Sequence, residues 1–456
     1  MRVVLSAPYP RVDAKFVRYH GIMAPLGILY IASSLRERGH QVTVVDGYGE
    51  RLDPSSAAEA ILDAKPDVVG LGTSTANYLT TKEMVARLRQ RTKAPVVLGG
   101  AHGTALPEMS LRSGAFDYVI LGEGEMSFAH LVESLERGIR PEFPGIAYLD
   151  NGTCVSFPPE LVDLATIPPK AWDLVTIENY YPSPAGRRYL PAISTITARG
   201  CPGHCTYCAL NNIFKHRVRF DPIEHVREEF EYFREHGIKD LNIWDSVFTV
   251  DRDKAIERCR LLKEMGFKWN CSARVTDVDR ELLEIMADSG CYLIGYGVES
   301  GSQETLNRLG RKDLSVERVE YAARETLRAG IHLKTYVMLG QEWETREDIE
   351  QTFEFAKKLR ADFVSFCVTK PYPGTALFTQ STREWKDEDF ENYHHYSGRN
   401  TVCKALSGKE LERLSSQFYR RYYLRPRYLW DTLSRIRSLS DVLHLLRSFR
   451  EAFLDF

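Results

Sequence analysis

Twice along this chain, short apolar runs that end on small residues alternate with stretches long enough for an amphipathic helix. No other feature limits the fold as strongly. In the first 140 residues the runs are Val3-Val4-Leu5, Val42 to Val45, Asp67 to Leu71, Val96-Val97-Leu98 and Tyr118 to Leu121. Helical segments over Pro25–Arg38, Ser55–Ala64 and Thr81–Arg91 lie between them, and another begins at Ser127. Strands joined through helices of this length need right-handed crossovers, which predicts a Rossmann-like, doubly wound parallel sheet. Ligands of such sheets bind at the carboxyl ends of the strands. Those ends carry Gly72-Thr73-Ser74-Thr75, with Asn77 and Tyr78 just beyond, then Gly99-Gly100-Ala101-His102-Gly103, and then Gly122-Glu123-Gly124. Three loops of small residues on one edge make a shallow groove where a large flat ligand can approach the backbone.

From 141 to 190 the pattern breaks into a connector. Asp150-Asn151-Gly152 reads as a hairpin turn, while Ile167-Pro168-Pro169 and Pro182-Ser183-Pro184 read as extended chain. A second alternating region spans 191–375, with strands near Ser194–Thr197, Leu241–Trp244, Lys268–Ser272, Tyr292–Tyr296, His332–Met338 and Phe363–Val368. Six βα steps predict a partial (β/α)6 barrel, open rather than closed at eight strands. Residues 376–456 are expected to form a C-terminal helical cap, mildly basic through Arg413, Arg420, Arg421, Arg425 and Arg427.

Composition excludes several classes. Hydrophobic residues are 43% and charged residues 27% of the 456, as in a globular protein. A net charge of −2 lacks the broad positive field of a general nucleic-acid binder, so no nucleic-acid partner is expected. No apolar run reaches 18 residues, so no transmembrane segment is expected. The first apolar run stops at Pro8 and Pro10, too short for a signal-peptide core. Nine cysteines, an odd number without a regular framework, suit a reducing compartment, and the cytoplasm is the expected location.

The residues richest in chemistry are Ala198-Arg199-Gly200-Cys201-Pro202-Gly203-His204-Cys205-Thr206-Tyr207-Cys208. Thiolates of Cys201, Cys205 and Cys208 can converge on one metal centre when the chain loops tightly, and Pro202-Gly203 supplies a loop. A cubane held by three cysteines leaves one iron without a protein ligand, and an open metal position is where substrate binds. The competing reading is a structural zinc completed by His204 or His216, although zinc knuckles commonly come in pairs and no second one occurs here. The other six cysteines are scattered and read as core residues.

A CxxxCxxC motif with an aromatic before its third cysteine, after the first strand of a partial barrel, resembles the radical S-adenosylmethionine superfamily. The likeness continues at Asn242-Ile243-Trp244-Asp245-Ser246-Val247-Phe248, at Asn270-Cys271-Ser272-Ala273-Arg274, at Gly297-Val298-Glu299-Ser300-Gly301-Ser302 and at Tyr336 to Gly340. It departs at Ser246, where an acidic residue is usual, and at Gln341 to Thr345, which replaces a proline-containing loop. The resemblance implies a [4Fe–4S] cluster on Cys201, Cys205 and Cys208. It also implies S-adenosylmethionine held near Tyr207, Asp245, Ser272, Arg274 and Glu299. For Glu299 and Arg274 a structural ion pair is the competing reading.

Residues 1–140 resemble the cobalamin-binding domain of one class of these enzymes, through Pro25 to Ala32, Gly39-His40-Gln41-Val42, Gly99-Gly100-Ala101-His102 and Leu121 to Glu125. The implied cobalamin contacts are Thr73, Ser74, Thr75, Asn77, Tyr78, Gly99, Gly100, His102, Gly103, Gly122, Glu123 and Gly124. Asn77 and Tyr78 are expected beneath the corrin, and His102 along the groove for its nucleotide tail. No Asp-x-His-x-x-Gly segment is present, so cobalt without a protein histidine is implied. The function implied is methyl transfer to an unactivated carbon, or phosphorus, of a small molecule, through a 5′-deoxyadenosyl radical and methylcobalamin. Oxidative cyclisation or ring rearrangement is the first alternative, and a non-enzymatic iron–sulfur regulator a weaker one. A flavodoxin- or ferredoxin-like electron donor is the expected partner. A methylthiotransferase fits poorly, because residues 1–150 contain no cysteine.

Overall fold

The computed structural model describes residues 1–9, 21–183, 186–381 and 383–434. Residues 435–456, part of the expected basic cap, lie outside that set. The N-terminal strands are β1 (Arg2–Ala7), β2 (Gln41–Asp46), β3 (Val68–Gly72), β4 (Val96–Gly99) and β5 (Tyr118–Ile120). They are followed by β6 (Ile146–Asp150) and β7 (Thr153–Ser156). One sheet holds all seven in the order β2-β1-β3-β4-β5-β6-β7. The first five pair in parallel and the last two antiparallel. Strand β1 shows why the sequence runs apolar without alternation. Val4 joins the core on one face of the sheet while Val3 and Leu5 join the core on the other. The hairpin expected in the connector instead extends this sheet. Asn151 and Gly152 turn it with φ of 48° and 81°, the positive values a two-residue primed turn requires.

The second region contains β8 (Ala192–Thr195), β9 (Asp240–Ile243), β10 (Lys268–Ala273), β11 (Cys291–Glu299), β12 (His332–Leu339) and β13 (Phe363–Val368). They pair in parallel in sequence order, giving the open six-stranded barrel. The helix Arg252–Met265 is typical of those between strands. Asp251 accepts a hydrogen bond from the Lys254 amide at its start, and Gly266 ends it at φ 76°. Such an N-cap contributes about 1 kcal/mol. Its Ala255, Cys259 and Leu262 enter the barrel's outer core.

After β13 the described residues, helices among them, lie across both regions. Phe390 and Tyr393 are buried with Tyr78 against the N-terminal sheet. The helix Gly408–Tyr423 lays Leu411, Leu414, Phe418 and Tyr422 over β12 and β13. The described C-terminal residues therefore strap both regions together.

Candidate active site

A cavity of about 830 Å³ opens between the carboxyl edge of the N-terminal sheet and the barrel. Ser74, Asn77, Gly99, Gly100, Gly122 and Gly124 line one side, and Arg199, Trp244, Lys334, Tyr336, Ser365 and Tyr396 line the other. The glycine loops on the sheet side offer bare backbone among apolar side chains such as Ile28, Ile31 and Leu71. Gly100 has φ 88°, and a Cβ there would stand 2.5 Å from the Thr73 carbonyl oxygen. Only glycine lets these two loops touch. Ser74 closes the first loop: its amide and hydroxyl both donate to Asn77 Oδ1, at 2.7 and 3.0 Å, while Asn77 Nδ2 donates to the Pro8 carbonyl at 3.1 Å. Asn77 thus borders the cavity with its amide group already engaged.

Of the other sheet-side residues, Thr73, Glu123 and the glycines at 99, 100, 122 and 124 border the cavity. Thr75, Tyr78, His102 and Gly103 do not. His102 is fully buried, stacked on Tyr78 at 3.9 Å and met edge-on by Phe390 at 5.0 Å. Burial pulls its imidazole down to about 3, so it is neutral, and Nδ1 lies 3.3 Å from Thr75 Oγ1. His102 and Tyr78, expected along a tail groove and beneath a flat ligand, are packed on each other outside the cavity lining. Phe390, far along the chain, closes over both rings.

Glu123 faces inward to an ion network. Arg199, two residues before Cys201, places Nη1 at 2.7 Å from Glu123 and at 2.7 Å from Glu125, and Arg219 reaches Glu123 at 2.7 Å. Both carboxylates and Arg199 are nearly fully buried. Lys170, Glu229 and Asp221 continue the network, with Tyr30 donating to Asp221 at 2.5 Å. The sheet edge is thereby tied to the strand that precedes the cysteine loop.

That loop is clamped from behind. Asp245 is buried, and its carboxylate accepts from the Thr197 amide (2.5 Å), the Thr197 hydroxyl (2.7 Å) and the Ala198 amide (2.9 Å). Arg258 donates to the Thr197 hydroxyl at 2.9 Å and to its carbonyl at 3.2 Å. Burial raises the Asp245 carboxyl, opposed by the Thr197 hydrogen bonds. Asp245 was expected near S-adenosylmethionine, yet both its oxygens hold the chain at 197–198. Gly200 follows at φ 92°, where a Cβ would fall 1.9 Å from the Arg217 carbonyl oxygen.

Among the described residues no three His, Cys, Asp or Glu side chains form the ligand set of a single metal ion. Cys201 and Cys205 gather around Gly203 instead. A Cβ there would be 3.4 Å from Cys201 Sγ and 3.7 Å from Cys205 Sγ, and its amide donates to Cys201 Sγ at 3.4 Å. Burial pushes the Cys208 thiol up to about 11, with Cys205 and Cys201 adding to the rise. Buried thiols beside a Cβ-free hollow, with Cys205 and Cys208 both raised by burial, fit a cationic metal group, which favours the thiolate. His204 and His216 stack at 4.0 Å, and His216 Nδ1 donates to the Gly203 carbonyl, so the histidines brace the loop.

Glu299 ends β11 at φ 61°, with Arg311 Nη1 at 3.4 Å. Burial raises its carboxyl, opposed by Arg311 and the Tyr207 hydroxyl. Tyr207, Glu299 and Arg311 therefore stand together beside Cys205. Ser272 is half-buried on β10, its hydroxyl facing Gly295. Arg274 pairs with Asp313, with Asp277 at 3.9 Å. Sequence reasoning missed Arg258, Arg311 and Lys334. Arg199 beside the cysteine motif offered a local signal, whereas Arg258 and Arg311 are defined only by partners distant in sequence.

Residues 15–132 match the B12 binding domain family, and residues 195–356 match the Radical SAM superfamily. An uncharacterized methyltransferase of Pyrococcus horikoshii is 31% identical, over 89% of each chain. Cytidylyl-2-hydroxyethylphosphonate methyltransferase of Streptomyces wedmorensis is 27% identical over 88% of this chain and 86% of its own. The anaerobic magnesium-protoporphyrin IX monomethyl ester cyclase of Rubrivivax gelatinosus is 29% identical over 94% and 78%. Among solved structures, the cobalamin-dependent S-adenosylmethionine radical enzyme OxsB superposes with a TM-score of 0.73 at 17% identity, over 99% of this chain and 72% of that one. The radical S-adenosylmethionine methyltransferase TsrM from Kitasatospora setae gives 0.70 at 20%, over 82% and 73%. The chain belongs to the cobalamin-binding radical S-adenosylmethionine enzymes.

Proposed function

We propose that this enzyme transfers a methyl group to an unactivated carbon or phosphorus of a small molecule, drawing on a [4Fe–4S] cluster, S-adenosylmethionine and cobalamin. One observation carries the reading: a single cavity is bordered by the glycine edge on one side and by the barrel on the other. Cys201, Cys205 and Cys208 would hold the cluster, with Tyr207, Glu299 and Arg311 beside the S-adenosylmethionine. Thr73, Ser74, Gly99, Gly100, Gly122 and Gly124 would lie against the corrin. When bound, the cluster supplies the electron for reductive cleavage of S-adenosylmethionine and the corrin supplies a methyl carrier. The chain's own part is placement. Asp245 and Arg258 fix the entry to the cysteine loop, and Arg199 with Glu123 and Glu125 fixes its position relative to the sheet edge. Largely apolar walls exclude water from the space between.

A reducing cytoplasm suits the nine free thiols, and a flavodoxin or ferredoxin would deliver the electron. Anaerobic purification with iron, sulfide and cobalamin, followed by turnover with methyl-labelled S-adenosylmethionine, tests the reading. Label in the product is expected. Product that forms without label would replace methyl transfer by oxidative cyclisation, the activity named for the relative from Rubrivivax gelatinosus.

A further inference from the structure

The ionisable groups around the cavity are mostly engaged. Asp46 accepts from the Tyr180 hydroxyl at 2.7 Å and from the Tyr48 amide at 3.0 Å, and Arg199 is held by Glu123 and Glu125. Lys334 reaches the same cavity, and among the described residues no carboxylate pairs with it. Strand β12 explains its direction. Leu333, Val337 and Leu339 pack outward against the helical layer, which turns Lys334 and Tyr336 to the lumen. The ammonium stands 5.0 Å from the centre of the Tyr336 ring. Gly295, opposite Lys334 in the strand register, makes room for that ring, since a Cβ there would come within 3.1 Å of Tyr336 Cε2.

The surroundings are aromatic and lead toward the cysteine loop. Trp244, 51% exposed, and Tyr396 also border the cavity. Lys334 lies on β12 between Gly295 and Phe363 in register, and Glu299 pairs with Val337 further along the same strand. An ammonium in a mainly apolar cavity gives up hydration, and an anion that accepts its hydrogen bonds restores the loss.

We propose that Lys334, assisted by the Tyr336 hydroxyl, binds a carboxylate or phosphoryl group of the substrate, so that the apolar remainder lies between the glycine edge and the cysteine loop. The assignment rests on the function proposed above and names the chemical class of its substrate.

The test uses the holoprotein and three probes of similar shape, followed by fluorine NMR titration: 4-fluorobenzoate, 4-fluorophenylphosphonate and neutral 4-fluorobenzamide. At least one anion is expected to bind about tenfold more tightly than the amide, the scale of one charge-assisted hydrogen bond. The stronger of the two identifies the anion. Lys334→Met should erase the preference and Lys334→Arg should keep most of it. Equal affinities for all three probes, or a preference that survives in Lys334→Met, would overturn the proposal. S-adenosylmethionine and its decarboxylated counterpart are titrated alongside. If Lys334→Met weakens only the carboxylated form, the lysine serves that cofactor and the substrate assignment is wrong. Reductive cleavage of S-adenosylmethionine by the unaltered protein is followed on the same sample. Absence of cleavage strikes the proposed function, whereas the anion preference is read by binding alone and stands or falls separately.

Discussion

On the sheet side the glycine loops bring bare backbone to the cavity wall, and on the barrel side the wall is side chain. The contrast follows from what each wall can hold. Gly99, Gly100, Gly122 and Gly124 present peptide groups without Cβ atoms, so a broad flat ligand can be recognised there by shape and close approach. The barrel side presents Arg199, Trp244, Lys334, Tyr336, Ser365 and Tyr396, and the cysteine loop beyond that lining is fixed by partners behind it. Asp245 and Arg258 both hold Thr197, and Arg311 acts on Glu299. Rigid support of this kind is what a metal group needs, because its ligands must stay within a few tenths of an ångström of the bonding geometry. The two walls meet at Arg199, whose guanidinium is held by the sheet loop while its backbone leads into Cys201.

The sharpest separation of the two walls comes from the cysteines. Cys205→Ala is expected to lower bound iron and to bring 5′-deoxyadenosine formation to background, while cobalamin bound per chain stays near that of the parent. Iron analysis, product chromatography and the corrin absorption band measure all three. Cobalamin lost together with iron would mean that the walls are not independent. Arg199→Met attacks the junction instead. It leaves Glu123 and Glu125 buried without their shared cation, a change that costs about 3–5 kcal/mol. Urea denaturation should record that loss, and here iron and cobalamin occupancy should fall together. Gly100→Val addresses the sheet wall alone. Its Cβ would collide with the Thr73 carbonyl at a backbone angle valine resists, a strain on the order of 1–3 kcal/mol. Cobalamin affinity should drop about tenfold to a hundredfold by spectroscopic titration, with iron content unchanged.

These outcomes also measure what was legible in the sequence. The parallel order of both sheets, the glycine edge and the three cysteines are local patterns, because strand period, glycine clusters and thiol spacing are each written within a few residues. The role of Asp245 was half legible. Its place at the end of β9 follows from the pattern, but the turn of its carboxylate toward Thr197 depends on Arg258, which arrives from the next helix. The burial of His102 was not legible for the same reason. A histidine in a Gly-Gly-Ala-His-Gly loop looks available to a ligand until Phe390 covers it. The hairpin at Asn151-Gly152 was readable as a turn, while its addition to the N-terminal sheet depends on pairing between β5 and β6.

His102 also gives the smallest of these tests, a difference in how the two regions answer pH. Its imidazole is pulled from 6.5 down to about 3 by burial. Below pH 6.5 the unfolded chain takes up a proton there and the folded chain does not, so stability is complete above 6.5 and is lost as pH falls toward 3. Between pH 6.5 and 5 that amounts to about 2 kcal/mol. The barrel carries the opposite sign. Asp240 is raised by burial from 3.8 to about 6, with hydrogen bonds from Tyr189, Arg188 and Tyr292 opposing the rise. Its contribution is complete below 3.8 and is lost as pH rises through about 6, roughly 1 kcal/mol of it between pH 5 and 6. Asp46, also pushed up to about 6 by burial, puts the same sign on the sheet side, so the whole-protein slope mixes both and only variants separate them. Urea melts at pH 5 and 7 are expected to show His102→Gln losing less stability on acidification than the parent, and Asp240→Asn gaining less. Parallel pH responses in parent and His102→Gln would mean that the ring is solvated, and that Phe390 does not cover it as the packing indicates.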